Sequence, residues 1–486
     1  MFGMKDDTEP KSEPTAPTEC DGQPLLFPDF GPRPVVVDFN GGDVSSDGGS
    51  VLLGQTDRSR GHLRRFAACF TDHRDPDSIE HSLEELLRQR VYGLALGYED
   101  LNDHDRLAHD PLLASVCGKA DPTGENRHRK SDVGKSLAGK STLNRLELTP
   151  EGATADSRYK KITANHESIE AYFIDEFVRS LAKGTTEVVL DIDATHDPVH
   201  GEQEGRFFNG FYQQYCYLPL YIFAGHWPVL AWLRSSEHQA SHGALEKVQR
   251  IVKALRHRFP KIRICLRADS GFCRDDIMTW CEENAVQYVF GLARNKVLQR
   301  ILRGAMRTAK SMQEFNKSEA ERVFKDFGYR AKSWSESKRR VVGKAEHTRL
   351  GANPRFIISN IPASEIPARE LYEIQYCRRG EMENRIKEQH LDLHADRTSA
   401  HTLRANQLRL WFSTLAYLLV NQLRQIGLAG TELAKATCGT IRLRLLKIGA
   451  LVRVSVRRVV ASMSSAFPLR SLFTLAMQRM CQQPSS

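Results

Sequence analysis

Between residues 186 and 292 the chain changes its hydrophobic period in an order that few folds can satisfy. Residues 186–192 (TEVVLDI) read as a strand, and residues 210–223 and 227–233 as two more, parted by the turn-like Ala224-Gly225-His226. The period then switches to a helical one. Leu245, Val248, Ile251, Val252, Leu255 and Phe259 fall on one stripe of a helix over residues 243–259. Residues 262–266 form a strand that runs into Arg267-Ala268-Asp269, residues 274–284 a helix, and residues 288–292 a strand.

Three strands with short turns, then helix, strand, helix, strand, is the order of a ribonuclease-H-like α/β core. In such a core the first and fourth strands lie side by side, so Asp193 is expected beside Asp269. A third acid, Glu383, falls on a helix expected over residues 365–389. There Tyr372, Tyr376, Arg379, Glu383 and Lys387 recur at spacings of four and three and share one face. Three carboxylates brought together do not stay ionised without positive charge between them. Divalent metal ions are the usual supply, and a pair of them clamps both oxygens of an in-line phosphoryl displacement. An arginine one turn before a metal-binding glutamate can meanwhile reach a phosphate. Asp191, two residues before Asp193 and on the same face of the strand, is its rival for that place.

Charge points to a polyanionic partner. The formal net charge is +9, and no acidic residue follows Glu432, whereas Lys435, Arg442, Arg444, Lys447, Arg453, Arg457, Arg458, Arg470 and Arg479 do. A basic face of this kind suits a phosphate backbone. The cysteines form no C-x-x-C pair, no leader is evident, and the longest apolar run is too short to span a bilayer, so a cytoplasmic protein with reduced thiols and no membrane partner is expected. Residues 1–33 read as a disordered tail, 34–183 as a mainly helical region, and 184–294 with 361–427 as the core. Residues 295–360 read as a β-rich insertion and 428–486 as a basic C-terminal region.

Some motifs are decoys. Residues 134–141 (GKSLAGKS) match a phosphate-loop pattern, but the polar GENRHRKSDV before them is no strand, and a basic loop fits better. His196 and His200 are separated by Pro198, and His238 and His242 precede a helix, so neither pair reads as a zinc site. Trp334 stands among Arg330, Lys332, Lys338, Arg339 and Arg340, a setting that suits base stacking or packing on its own sheet.

Taken in order, LDIDATHDPVHGEQEGRFFNGFYQQY, RADSGF and YCRRGEMENRIKEQ resemble the DDE transposases of bacterial insertion sequences, in particular the group called IS-thirteen-eighty. Tyr376, Arg379 and Glu383 match the Y-x-x-R-x-x-x-E signature shared with the wider IS-four-like relatives. The resemblance extends to GYEDLNDHDRLAHDPLLA, STLNRLE and TIRLRLLKIGA, and so spans roughly residues 34–480. It implies Asp193, Asp269 and Glu383 as ligands of two Mg²⁺ ions, with Mn²⁺ as a substitute. It also implies cleavage at terminal inverted repeats and transfer of the freed 3′-hydroxyl into target DNA by at least a dimer. Tyr376, Arg379, Lys387, Trp334, Arg457 and Arg458 are the expected DNA contacts, and the helical N-terminal region is expected to bind the repeats. Wider relatives carry a lysine seven residues after the glutamate. Here that residue is His390, which leaves Lys387 or His390 for the role. The competing readings are a nuclease without strand transfer and a DNA-binding regulator derived from a transposase.

Overall fold

A computed structural model describes residues 25–27, 33, 35–334 and 338–482, so most of the expected N-terminal tail lies outside the described residues. Leu25–Phe27 pairs antiparallel with Val35–Val37. The central sheet is built on the first core strand, Glu187–Ala194. The second, Leu220–Ala224, pairs with it antiparallel, and the third, Trp227–Trp232, lies outside the second. On the other side the fourth strand, Arg263–Ala268, runs parallel to the first, and the fifth, Gln287–Leu292, parallel to the fourth. The order across the sheet is thus third, second, first, fourth, fifth, with the first and fourth side by side as expected. Parallel neighbours need a crossover, and helices Ala244–Arg258 and Asp275–Glu283 provide it. Val248, Ile251 and Leu255 of the first helix bury themselves with Leu190, Ile192, Leu266 and Phe290 on one face of the sheet.

Two stretches depart from expectation. Residues 210–223 do not make one strand: Phe207–Asn209 and Gln214–Tyr217 form a tight hairpin before the second core strand begins at Leu220. Pro219 cannot donate to a ladder, which favours the break there. Asp197–Pro198 pairs with the second hairpin strand to complete a separate small sheet. The expected β-rich insertion opens with a 21-residue helix, Lys296–Asn316, that sequence reading missed. The signal was present. Asn295 caps it by accepting from the Leu298 amide at 2.9 Å, and Leu298, Leu302 and Ala309 recur on its buried side. Strands Ala320–Tyr329, Arg339–Thr348 and Arg355–Ser359 follow as expected, but they extend the central sheet, because Arg355–Ser359 pairs with the fifth core strand.

Helices occupy the N-terminal third, as read: Ser50–Arg60, His62–Ala67, Leu83–Ala95 and His166–Ser180 among them. Their core is shared with distant parts of the chain. Leu52, Leu53, Phe66, Leu87 and Tyr92 pack in one cluster with Phe412, Leu415 and Leu419 of helix Leu403–Gln422 and with Ala476 and Met480 of helix Arg470–Cys481. The contact is close at the backbone. The amides of Gly48 and Gly49 donate to the carbonyls of Ile448 and Leu446, and a Cβ on Gly49 would lie 2.1 Å from the Leu445 carbonyl oxygen. Several tail cations serve this assembly. Lys447 pairs with Asp47 at 2.7 Å, Arg444 with Glu432, and Arg442 and Arg479 donate to backbone carbonyls. Arg453, Arg457 and Arg458 remain exposed on the hairpin formed by Ala450–Ser455 and Arg458–Met463.

Candidate active site

The register of the first and fourth strands brings two carboxylates together. Arg267 stands opposite Asp191 and Ala268 opposite Ile192, so Asp269, one step beyond the strand end, comes level with Asp193. The pleat sends Asp191, Asp193 and Arg267 to the face away from the helix-covered core. Asp269 is held by its own turn, its carboxylate accepting from the Gly271 amide at 2.8 Å.

Asp191 and Asp193 have different surroundings. Asp191 is engaged by a bidentate arginine: Arg267 donates through Nε and Nη2 at 2.7 Å each, and its Nη1 donates to the Gln375 carbonyl at 2.8 Å. Both side chains are buried. Burial still pushes the Asp191 carboxyl above its ordinary value, with Arg267 opposing. Asp193 receives only one arm of Arg379, at 3.0 Å, and the other arm goes to Glu383 at 2.8 Å. Burial, with the charges of Asp269 and Glu383 adding to it, pushes the Asp193 carboxyl up to about 6 against the pull of Arg379. Two carboxylates therefore share one guanidinium, and Glu383 is 45% exposed beside an Asp193 that is 16% exposed.

The segment that carries Arg379 and Glu383 is helical from Ala368 to Asp392, but it is not the regular helix expected. Leu371–Tyr376 is a wide π turn, Cys377–Arg379 a tight 3₁₀ turn, Gly380–Lys387 α-helical and Glu388–Asp392 wide again. Wide turns of this type recur at functional sites because they redirect side chains. Arg379 and Glu383 keep the four-residue spacing. Tyr376 stays with them, its hydroxyl hydrogen-bonded to Arg379, and it lies over the fifth core strand, where Gly291 makes room for it. A Cβ on Gly291 would meet the Tyr376 hydroxyl at 2.7 Å, the Ser270 amide at 2.9 Å and the Asp269 carbonyl carbon at 3.2 Å. Gly291 was missed in the sequence, although a glycine inside the apolar run QYVFGL marks a close approach of this kind. Beyond Tyr376 a cavity opens beside Asp269, and Arg294, Lys344 and Arg355 add positive charge to its wall.

Other expected residues fall elsewhere. Lys387 is exposed one turn after Glu383 and makes no ion pair among the described residues. His390 turns inward, 3.5 Å from Asp197 and 3.4 Å from the Tyr221 hydroxyl, and burial lowers its basicity. Trp334 lies at the far end of the hairpin of Ala320–Tyr329 and Arg339–Thr348, half-buried, edge-on to Tyr329 at 5.6 Å and under the Arg339 guanidinium. Arg457 and Arg458 sit on the C-terminal hairpin, which pairs with Val44–Ser45 and not with the central sheet. The GKSLAGKS stretch has no strand before it, and its Lys140 pairs with Asp105 at 3.3 Å. Tyr212 went unnoticed in the sequence, and His196, weighed there only as a zinc ligand, stacks on it at 4.2 Å; burial together with Asp193 and Asp269 holds the Tyr212 hydroxyl above its ordinary value.

As arranged, with Arg379 between Asp193 and Glu383, no three Asp, Glu, His or Cys side chains among the described residues gather round a point that could hold a metal ion. The family described as Transposase DDE domain group 1 matches residues 27–485. No curated protein matches the chain. Among solved structures, the cryo-EM structure of a piggyBac transposase synaptic complex with hairpin DNA is similar over 90% of this chain and 82% of that one, at 10% identity and a TM-score of 0.41.

Proposed function

Because the chain belongs to the DDE transposase family of group 1, matched over nearly its whole length, we propose that Asp193, Asp269 and Glu383 are its acidic triad and that it cuts DNA at the terminal inverted repeats of an insertion sequence. One observation carries the assignment: the strand register sets Asp269 level with Asp193, and Arg379 ties Asp193 to Glu383. The order third, second, first, fourth, fifth supports a ribonuclease-H-like core, with residues 295–360 as its insertion.

The three acids form an all-oxygen donor set of the kind that hard divalent cations prefer, and a carboxyl held up to about 6 by burial and its acidic neighbours is what such a cation would relieve. The residues therefore fit a pair of Mg²⁺ ions, or Mn²⁺ in their place, held by Asp193, Asp269 and Glu383. Bound there, the ions would acidify a water and neutralise charge on the attacking and leaving oxygens of a phosphodiester.

The protein's own part is positional. Arg379 leaves the carboxylates when cations and DNA arrive, and its planar fork takes a phosphate oxygen pair. Tyr376, fixed over Gly291, presents its hydroxyl to the same phosphate. Arg267 secures the Gln375 carbonyl next to it, so the sheet and the helical segment move as one body. The wall of Arg294, Lys344 and Arg355 draws the backbone toward Asp269. After cleavage the 3′-hydroxyl of the cut strand attacks a target phosphodiester, forming a new P–O bond as the old one leaves with its 3′-oxygen. Bringing two ends together makes the working form at least a dimer in the bacterial cytoplasm, at the nucleoid.

The test is incubation of the purified protein with a labelled terminal-repeat duplex, in Mg²⁺ or EDTA, beside Glu383→Gln. Metal-dependent nicking at the repeat end, lost in the variant, is the expected result. Binding without cleavage in any metal would replace this function with that of a regulator. Nicking without end specificity or strand transfer would leave a nuclease.

A further inference from the structure

The hairpin of Phe207–Asn209 and Gln214–Tyr217 carries more bare aromatic surface than a solvent-facing turn needs. Phe211 at its tip is 86% exposed, and Phe207, Phe208 and Tyr215 are 46–47% exposed. Exposed rings packed this closely mark a surface meant for a partner. The hairpin is also built rather than floppy. The Asn209 side chain accepts from the Phe211 amide at 3.0 Å and the Tyr212 amide at 3.3 Å, and donates to the Ser236 carbonyl. Phe211 stands edge-on to Tyr212 at 5.0 Å, and Phe208 edge-on to Tyr215 at 5.5 Å. The rings are thus held in fixed orientations, and Phe211 keeps most of its surface bare.

Position identifies the partner. The small sheet grows straight out of the first core strand, since Asp197, four residues after Asp193, pairs with Tyr217. Tyr212 stacks at 4.2 Å on His196, three residues after Asp193. Arg206 lies over the Tyr215 ring at 4.6 Å, which puts a cation beside the stack. Aromatic faces interleaved with positive charge beside a phosphodiester-cutting site are the chemistry that receives unpaired nucleobases, because every base has a π-face and sequence need not matter. We infer that this hairpin is a stacking finger for bases unpaired next to the cleaved phosphate, with Phe211 as the leading ring. The inference rests on the DNA-cleaving reading of the adjacent carboxylates.

The experiment reads binding, not cleavage. Fluorescein-labelled mixed-sequence DNA, as a single strand and as the matching duplex, is titrated in EDTA with the full chain and with Phe211→Ala, Phe211→Trp and Phe208→Ala, and anisotropy is followed. Each alanine is expected to weaken single-strand binding by about 5- to 150-fold, the range of one lost stack, while duplex binding holds and Phe211→Trp retains single-strand affinity. Equal loss on both DNAs, or no loss on either, overturns the finger. So does a change in sedimentation showing that Phe211→Ala instead breaks self-association. Failure of wild-type cleavage in Mg²⁺ would refute the transposase reading without touching this readout.

Discussion

Asp191 and Asp193 stand one pleat apart on one strand, and each faces an arginine, yet the two pairs are built for different ends. Arg267 gives Asp191 both arms of its fork and spends the remaining nitrogen on the Gln375 carbonyl, all in a buried setting. Arg379 divides itself between Asp193 and Glu383, one of them half open to solvent. The first pair is saturated and acts as a rivet. The second divides one guanidinium between two carboxylates, which suits the exchange of partners proposed above. An arginine opposite an aspartate says little by itself; what matters is how many of its donors are committed.

The largest effect should come from breaking the under-supplied pair. Asp193→Asn is expected to bring metal-dependent nicking of a repeat-end duplex to background while the thermal midpoint stays level or rises, because a costly buried carboxylate has gone. Next comes the rivet. Asp191→Ala strands a buried guanidinium and should cost about 3–5 kcal/mol in urea unfolding. If Asp191→Ala proved harmless to folding while Asp193→Asn unfolded the chain, the contrast would be reversed. A third variant sits between the two. Gly291→Ala pushes against Tyr376 and the Asp269 turn, and a displacement near 1 Å can cost about 10²-fold in rate. Cleavage should fall by that order, with the circular dichroism spectrum retained.

The smallest effect is in the pH dependence of the metal-free protein. A carboxyl raised to about 6 by burial and by its acidic neighbours takes up a proton on folding. Its ionisation therefore costs stability as pH rises from about 4, the ordinary carboxylate value, to about 6, and the cost is absent below that window. Wild type minus Asp193→Asn, compared by denaturation at several pH values, should show wild type losing ground over that range. A flat difference would mean that Arg379 already compensates the charge fully.

The sheet-borne half of the site was legible because strand periodicity fixes faces and the order of elements fixes neighbours. The adjacency of the strands that carry Asp193 and Asp269 followed from that, whereas the choice of Asp193 over Asp191, which shares its face, came from the family resemblance. The helical half was legible as helical spacing. A spacing of four and three places Arg379 and Glu383 on one face, and they do meet. Tyr376 stays beside them too, and what the spacing could not show were the wide and tight turns of the segment and its close approach to Gly291. Phe211 and Tyr212 escaped notice for a related reason. An aromatic run such as FFNGFY reads as core until the fold leaves it outside. Helix Lys296–Asn316 was overlooked although its apolar stripe is regular, because the strand-like stretches after it set the expectation for the whole insertion.

The shared helical core has a consequence for how the protein is made. Leu52 and Leu53 pack in the same cluster as Ala476 and Met480, and the backbone at Gly49 rests on Leu445 and Leu446. During synthesis the N-terminal helices therefore emerge long before the residues that cover them, and contacts of such long range form late. A ribosome that stops within the last fifty or so residues would release a chain with its first helices uncovered, a substrate for proteases rather than a folded fragment able to compete with the intact chain.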